Sequence, residues 1–253
     1  MCRIDLHQPD PYHRLFSANQ PDDLRSQQIR EQLQEMGVDH LVAQGEIQHL
    51  GFPVLGVGYC GVVVAAQWQQ YHVAIKVRRS NCQQHNLDNE ARLQQQANEL
   101  GIGPQLHCYQ GDVIIMQRLR GLSFGRWLAQ LSQDDTQQLK AHLQRLLWQG
   151  FRLDQAGIDH GALRCVSEHA FVDGDTLTLI DFSHSSDQRH PNNVTSLVSG
   201  LLWGTKLAES IQQWLTLPQR DELLPALRQY KQQSTQDNFE LLLGRVGLPL
   251  CEK

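Results

Sequence analysis

The stretch "VAIKV" sets a lysine, Lys76, inside an apolar strand pattern. An ammonium buried there without a partner is expensive, so such a lysine calls for an anion, unless it sits on an edge strand and reaches water. The helix expected next carries "NEARL", which supplies Glu90. A Lys76–Glu90 pair would neutralise both groups and aim the amine at nucleotide phosphates. Upstream, "LGVGYCGVVVAA" fits G-x-G-x-x-G-x-V at Gly56, Gly58, Gly61 and Val63. A glycine turn between two strands lets backbone N–H groups approach phosphate oxygens that a side chain would obstruct. Downstream, "LTLIDFSHSS" ends an apolar strand in Asp181. A carboxylate opening into a turn suits Mg²⁺, a hard cation that prefers oxygen ligands. Each motif alone has a plain structural reading, since glycines punctuate hairpins and aspartates cap turns. Their order along one stretch of chain is what joins them.

Taken together these residues resemble the protein-kinase signature set of glycine-rich loop, strand lysine, helix glutamate, catalytic loop and metal-binding aspartate. Within that superfamily, "GIDHGALRCVSEHAFV" followed by "LIDFSHSS" is most similar to the small atypical kinases of microbes, the RIO-like and lipopolysaccharide-kinase-like groups, which carry His-Gly-acid in the catalytic loop. The resemblance covers roughly residues 50–205. It implies an α+β, bilobal protein-kinase-like fold with a β-rich N-lobe containing one helix and a mainly helical C-lobe. It also implies ATP and Mg²⁺ as cofactors. Gly56, Gly58, Gly61, Val63, Ala74 and Lys76 would line the nucleotide site. Met116 would stand near the gatekeeper position, and Gln117–Leu119 would form the hinge whose backbone meets adenine.

The catalytic loop departs from that pattern. The family's catalytic acid maps to Ala162, which neither accepts a proton nor orients a hydroxyl. The second metal ligand maps to Ser167, and the glycine after Asp181-Phe182 is Ser183. Asp159, just before His160, is the candidate replacement base, and Glu168 the candidate second metal ligand; His169 is the poorer choice for Mg²⁺. His160 is expected to be internal scaffold, and Asn192 and Asn193 to make turns and a helix cap. Three functions follow: an atypical serine/threonine protein kinase transferring the γ-phosphoryl group of ATP, a nucleotide-binding pseudokinase acting through a protein partner, or a small-molecule phosphotransferase.

The elements that must position these residues are legible as patterns. Residues 1–22 read as a polar leader with three prolines, and 23–116 as the N-lobe, opening with a helix over 22–37. A hairpin is predicted over 61–79 and a helix over 86–103. The hinge is placed at 117–121 and a helical C-lobe at 122–253, with a hairpin within 168–186 and breaks at Pro218 and Pro225. Trp127 and Trp148 recur with leucines at helical spacing, which reads as core.

A chain of 253 residues, 40% hydrophobic and 19% charged, is ordinary for a globular protein. Its net charge of −5 gives no field that would draw nucleic acid or an anionic membrane, so neither is expected as a partner. No stretch is long and apolar enough to insert in a bilayer. Six cysteines, scattered without a CxxC, read as reduced thiols of a cytoplasmic protein.

Overall fold

The computed structural model describes residues 2–6, 13–16 and 23–248. The chain divides into two compact units, Met1–Asn98 with Pro104–Leu119, and Glu99–Gly103 with Arg120–Lys253. The first is sheet-rich and the second mainly helical, which is the α+β organisation expected.

The first unit runs β1 (Cys2–Asp5), α1 (His13–Phe16), α2 (Asp23–Glu35), β2 (Val38–Ala43), β3 (Ile47–His49), β4 (Phe52–Val54), β5 (Gly56–Val57), β6 (Gly61–Trp68), β7 (Tyr71–Arg78), α3 (Asp88–Glu99), β8 (Leu106–Gln110) and β9 (Val113–Gln117). Among the described residues, seven strands form an antiparallel sheet in the order β1-β2-β6-β7-β9-β8, with β5 also on β6. The β-branched runs of β6 and β7 explain its centre, because such side chains suit a pleated surface packed on both sides. Successive residues of a strand face opposite ways. One face carries Val62, Val64, Val73, Ile75, Val77, Val113 and Ile115, which are buried with Ile29 and Leu33 of α2. Burying each such side chain contributes about 1.5–3 kcal/mol. The register puts Val63 opposite Lys76, Ala65 opposite Ala74, Ala74 opposite Met116 and Lys76 opposite Ile114, so these six residues share the other face. There Ala91 of α3, with Leu87 just before the helix, packs on Ile114.

The polar-leader expectation for 1–22 requires correction. β1 pairs with β2, and Leu6, Leu15 and Phe16 are buried in the same core as Ile29 and Leu33. Residues 7–12 and 17–22 of that stretch lie outside the described residues. An ionic network clamps α2 to the sheet. Arg25 Nη1 meets Asp112 Oδ2 at 2.8 Å and donates through Nη2 to the Arg78 carbonyl at 2.7 Å, while Arg78 also pairs with Asp112.

The second unit contains β10 (Leu122–Ser123), α4 (Phe124–Leu128), α5 (Thr136–Gln155), α6 (Val166–His169), β11 (Ala170–Asp173), β12 (Thr176–Leu179), α7 (Asn193–Leu202), α8 (Lys206–Gln212), α9 (Arg220–Gln232) and α10 (Gln236–Val246). β10, β11 and β12 make a small antiparallel sheet. Trp127 stacks on Phe124 at 5.7 Å, and Trp148 meets Phe239 edge-on at 4.8 Å; both indoles are half-buried. Pro225 lies inside α9 and does not break it. The capping box of Gln219 and Glu222 and the buried face of Leu223, Ala226, Leu227 and Tyr230 outweigh its missing donor. Among the described residues no helix is long and apolar enough to cross a membrane.

Candidate functional site

In the first unit the site is built around a buried ion pair. Lys76 Nζ donates to Glu90 Oε1 at 2.6 Å, with the two residues 6% and 3% exposed. β7 holds the lysine in the middle of the sheet, and α3 presents the glutamate from its first turn. Neither charge could stay there alone, because an unpaired buried ion costs several kcal/mol.

The glycine-rich segment runs from β5 through a turn at Gly58, Tyr59 and Cys60 into β6. Gly58 donates its N–H to the Gly61 carbonyl at 2.8 Å, closing the turn. The structure gives Gly61 a reason that the motif alone did not. A Cβ added there would stand 2.7 Å from Lys76 Cε and 2.9 Å from Lys76 Cγ, so the lysine stem lies in the space a side chain would take. By contrast, a Cβ at Gly56 or Gly58 would make only ordinary contacts. Val63 and Ala74 lie on the Lys76 face, and small Ala65 and Ala74 leave that face shallow. At the end of β9, Met116 Sδ accepts from Gln94 Nε2 at 3.6 Å. Gln117 donates its backbone N–H to the Gln105 carbonyl at 2.7 Å. Leu119 ends the first unit.

The reduced state expected for all six cysteines is corrected at two of them. Cys60, in the glycine-rich turn, is disulfide-bonded to Cys82, in the connection between β7 and α3, with Cα atoms 4.7 Å apart. Cys108 and Cys165 keep free thiols. Two hydrogen bonds reinforce the cross-link, from Arg79 N–H to the Cys60 carbonyl at 2.8 Å and from Arg79 Nη1 to the Gly58 carbonyl at 3.1 Å.

In the second unit the loop "DHGALRC" is held by a polar hub that adds Asp154 to His160, expected as scaffold, and Asn193, expected at a turn or helix cap. Asn193, at the start of α7, is 1% exposed. Its Oδ1 accepts the His160 N–H at 2.8 Å, and its Nδ2 donates to Asp154 Oδ1 at 2.8 Å and to the Ile158 carbonyl at 2.7 Å. Asp154, on α5, also accepts from the backbone N–H groups of Asn193 and Val194 and from the Tyr230 hydroxyl. Burial pushes the Asp154 carboxyl up despite these donors, and burial beside Asp154 pushes the Tyr230 phenol up. The signal for Asp154 was an aspartate on the apolar face of a long amphipathic helix.

His160 is fully buried, and its Nε2 lies 3.1 Å from the Ile180 carbonyl, which ties the loop to the residue before Asp181. Burial holds its imidazole down at about 4, and a charge on His169 would push the same way; Asp181, the Ile180 carbonyl and Asp159 oppose this. The ring is therefore neutral near pH 7, with Nε2–H donating. The scaffold role expected for it matches this geometry.

Asp181 is half-buried and has φ 67°, one of three non-glycine residues at positive φ among the described residues. Backbone strain of about 1–3 kcal/mol persists only where its surroundings impose it, and such sites often serve function. Its Oδ1 accepts the Ser183 N–H at 3.3 Å. The other residues of the expected set are placed differently. Glu168 is exposed on α6, and Ser167 packs against Gly125 of α4. Asp159, the expected replacement base, is committed to structure. Its carboxylate pairs with Arg189 and accepts the Asn192 N–H at 3.3 Å, and its backbone bridges to Ser186. Arg189 also donates to the His184 carbonyl and lies in the space that a Cβ on Gly161 would enter.

Among the described residues no group of three or more His, Cys, Asp or Glu side chains forms a metal cage. Mg²⁺ in nucleotide sites typically takes one or two protein carboxylates and completes its shell with phosphates and waters, a mode that Asp181 fits.

The chain matches no protein-family model and no curated protein. Among solved structures it is similar to the Rio2 kinase–ADP/Mg²⁺–phosphoaspartate complex from Chaetomium thermophilum, with 16% identity and a TM-score of 0.48, over 88% of this chain and 75% of that one. At that level of likeness neither activity nor ligand transfers, and function rests on the chain's own residues.

Proposed function

We propose that the chain is an ATP-dependent phosphotransferase of the protein-kinase-like class that acts on serine or threonine of a protein substrate. The carrying observation is the buried 2.6 Å Lys76–Glu90 pair whose lysine stem lies over Gly61. The carboxylate fixes the ammonium in the sheet, and an ammonium has three N–H bonds with which to meet anions. In this reading Lys76 holds ATP phosphates, Glu90 fixes the lysine, and the turn at Gly58–Gly61 offers backbone donors. Ala74 and Val63 give the base an apolar seat beside Gln117 and Leu119. Asp181 would hold Mg²⁺, which supplies charge neutralisation on the transferring phosphoryl group. Phosphoryl transfer depends mainly on positioning and electrostatics, so a loop without a base is slowed rather than abolished.

A second reading is favoured by one specific observation. Ala162 stands in the acid's place and the Asp159 carboxylate is tied to Arg189, which describes a nucleotide-binding pseudokinase acting through a protein partner. Radiolabelled γ-phosphoryl transfer to a peptide library separates the two. The kinase reading expects Mg²⁺-dependent transfer that Asp181→Ala abolishes, and Asp159→Asn to slow it no more than Arg189→Met does. Transfer that survives Asp181→Ala would remove the metal assignment. Binding of ATP with no transfer above the Asp181→Ala background selects the pseudokinase.

A further inference from the structure

The glycine-rich turn is covalently tethered, and the tether connects two segments that flank the Lys76–Glu90 pair. Cys60 stands between Gly58 and Gly61, and Cys82 lies in the connection from β7, which carries Lys76, to α3, which carries Glu90. Both cysteines are 7% exposed, but Tyr59 on one side and Ser80, Asn81 and Gln83 on the other are exposed, so the bond lies under a thin cover. A glycine-rich turn binds phosphate through its backbone N–H groups, and here the Gly58 N–H is spent on the Gly61 carbonyl at 2.8 Å, so the turn must rearrange to present it. Here the turn is fixed at Cys60 by the disulfide and at Gly58 and Cys60 by Arg79.

We propose that the Cys60–Cys82 disulfide is a redox latch on the glycine-rich turn, with the oxidised protein binding nucleotide more weakly than the reduced one. This rests on the nucleotide reading above. Opening is a thiol–disulfide exchange with a dithiol reductant. One reductant thiolate attacks a sulfur of the pair and displaces the other as a thiolate, forming a mixed disulfide. The second reductant thiol then resolves that intermediate. Two electrons and two protons pass to Cys60 and Cys82, and the reductant leaves as its own disulfide. Closing is the reverse reaction with a small-molecule disulfide as oxidant. Once open, the turn is held by the Arg79 hydrogen bonds and by the Gly58–Gly61 bond that closes it, all of which ligand binding can exchange.

The test uses the full chain, oxidised with glutathione disulfide or reduced with dithiothreitol. Peptide mapping without reduction verifies the 60–82 cross-link. ATP with Mg²⁺ is then titrated calorimetrically into both forms and into Cys82→Ser, which lies outside the binding residues. Amide exchange over residues 56–61 reports turn mobility without ligand. The latch expects exchange to rise on reduction, affinity to rise at least tenfold, and Cys82→Ser to match reduced wild type with or without dithiothreitol. Equal affinity in the two verified redox forms overturns the latch and leaves the nucleotide site standing. Absence of the cross-link after oxidation also overturns it. No ATP binding in either form, with exchange responding to reduction, removes the nucleotide reading itself and the gate with it.

Discussion

Replacing Glu90 with leucine leaves the Lys76 ammonium in a site only 6% exposed, where the structure provides its carboxylate partner at 2.6 Å. Breaking a buried pair by removing one member costs about 3–5 kcal/mol, because the remaining charge stays desolvated. Lys76→Met has the converse effect on Glu90, which is 3% exposed. Replacing both removes both charges and leaves an apolar contact between β7 and α3, a change that is often neutral or stabilising by about 1–4 kcal/mol. Urea denaturation with a fluorescence probe reads this cycle. At a urea dependence of about 2 kcal/mol per molar, each single variant loses roughly 2 M in midpoint. The double variant should recover to wild type or beyond. A Glu90→Leu midpoint within about 0.3 M of wild type would refute the reasoning, since on this dependence it would price the pair at under about 1 kcal/mol, the range of an exposed ion pair.

Gly61→Ala should weaken ATP binding at least tenfold in calorimetry, because its Cβ would meet Lys76 Cε and Cγ at 2.7 and 2.9 Å. Gly58→Ala, whose Cβ meets nothing closer than 3.7 Å, should have the smaller effect, and equal losses would contradict the packing argument. Asn193→Ala removes three buried hydrogen bonds at Asp154, Ile158 and His160 and should destabilise by about 3–5 kcal/mol, with faster amide exchange at His160. Stability should also fall on acidification. The His160 ring is held at about 4 against an ordinary 6.5, so the unfolded chain binds the proton first, and stability present above pH 6.5 is lost as pH falls towards 4. The full gap corresponds to roughly 3 kcal/mol. His160→Asn should flatten that slope relative to wild type, whereas His142, also held down by burial, contributes equally in both proteins. Parallel pH profiles would refute the assignment.

What the sequence disclosed and what it hid divide along the range of the interactions. "VAIKV" and "NEARL" lie close in the chain, and an apolar strand carrying one lysine can be read without knowing its neighbours. The continuous apolar runs of β6 and β7 likewise announce strands packed on both faces. The Asp154–Asn193–His160 hub joins residues from a helix body, a helix start and a loop; a cap role for Asn193 was legible, but no local pattern shows the partners it bonds across such a span. The Cys60–Cys82 bond escaped for the same reason, as its partners sit on a turn and a connection without a spacing motif. Leu6 and Phe16 were lost among polar neighbours, because the core that buries them is built from α2 and the sheet, later in the chain. Asp159 was named as the candidate base from its position alone. Its distance from Ala162 along the chain was visible, but the Arg189 pair that takes up its carboxylate was not.

The central claim is that the buried Lys76–Glu90 pair holds a nucleotide. It is tested most directly by calorimetric titration of ATP with Mg²⁺ into wild type and the Lys76→Met/Glu90→Leu double variant, whose fold the urea cycle verifies. The account predicts saturable binding to wild type and none to the double variant at equal stability. Equal binding to both, or none to reduced wild type, would contradict it.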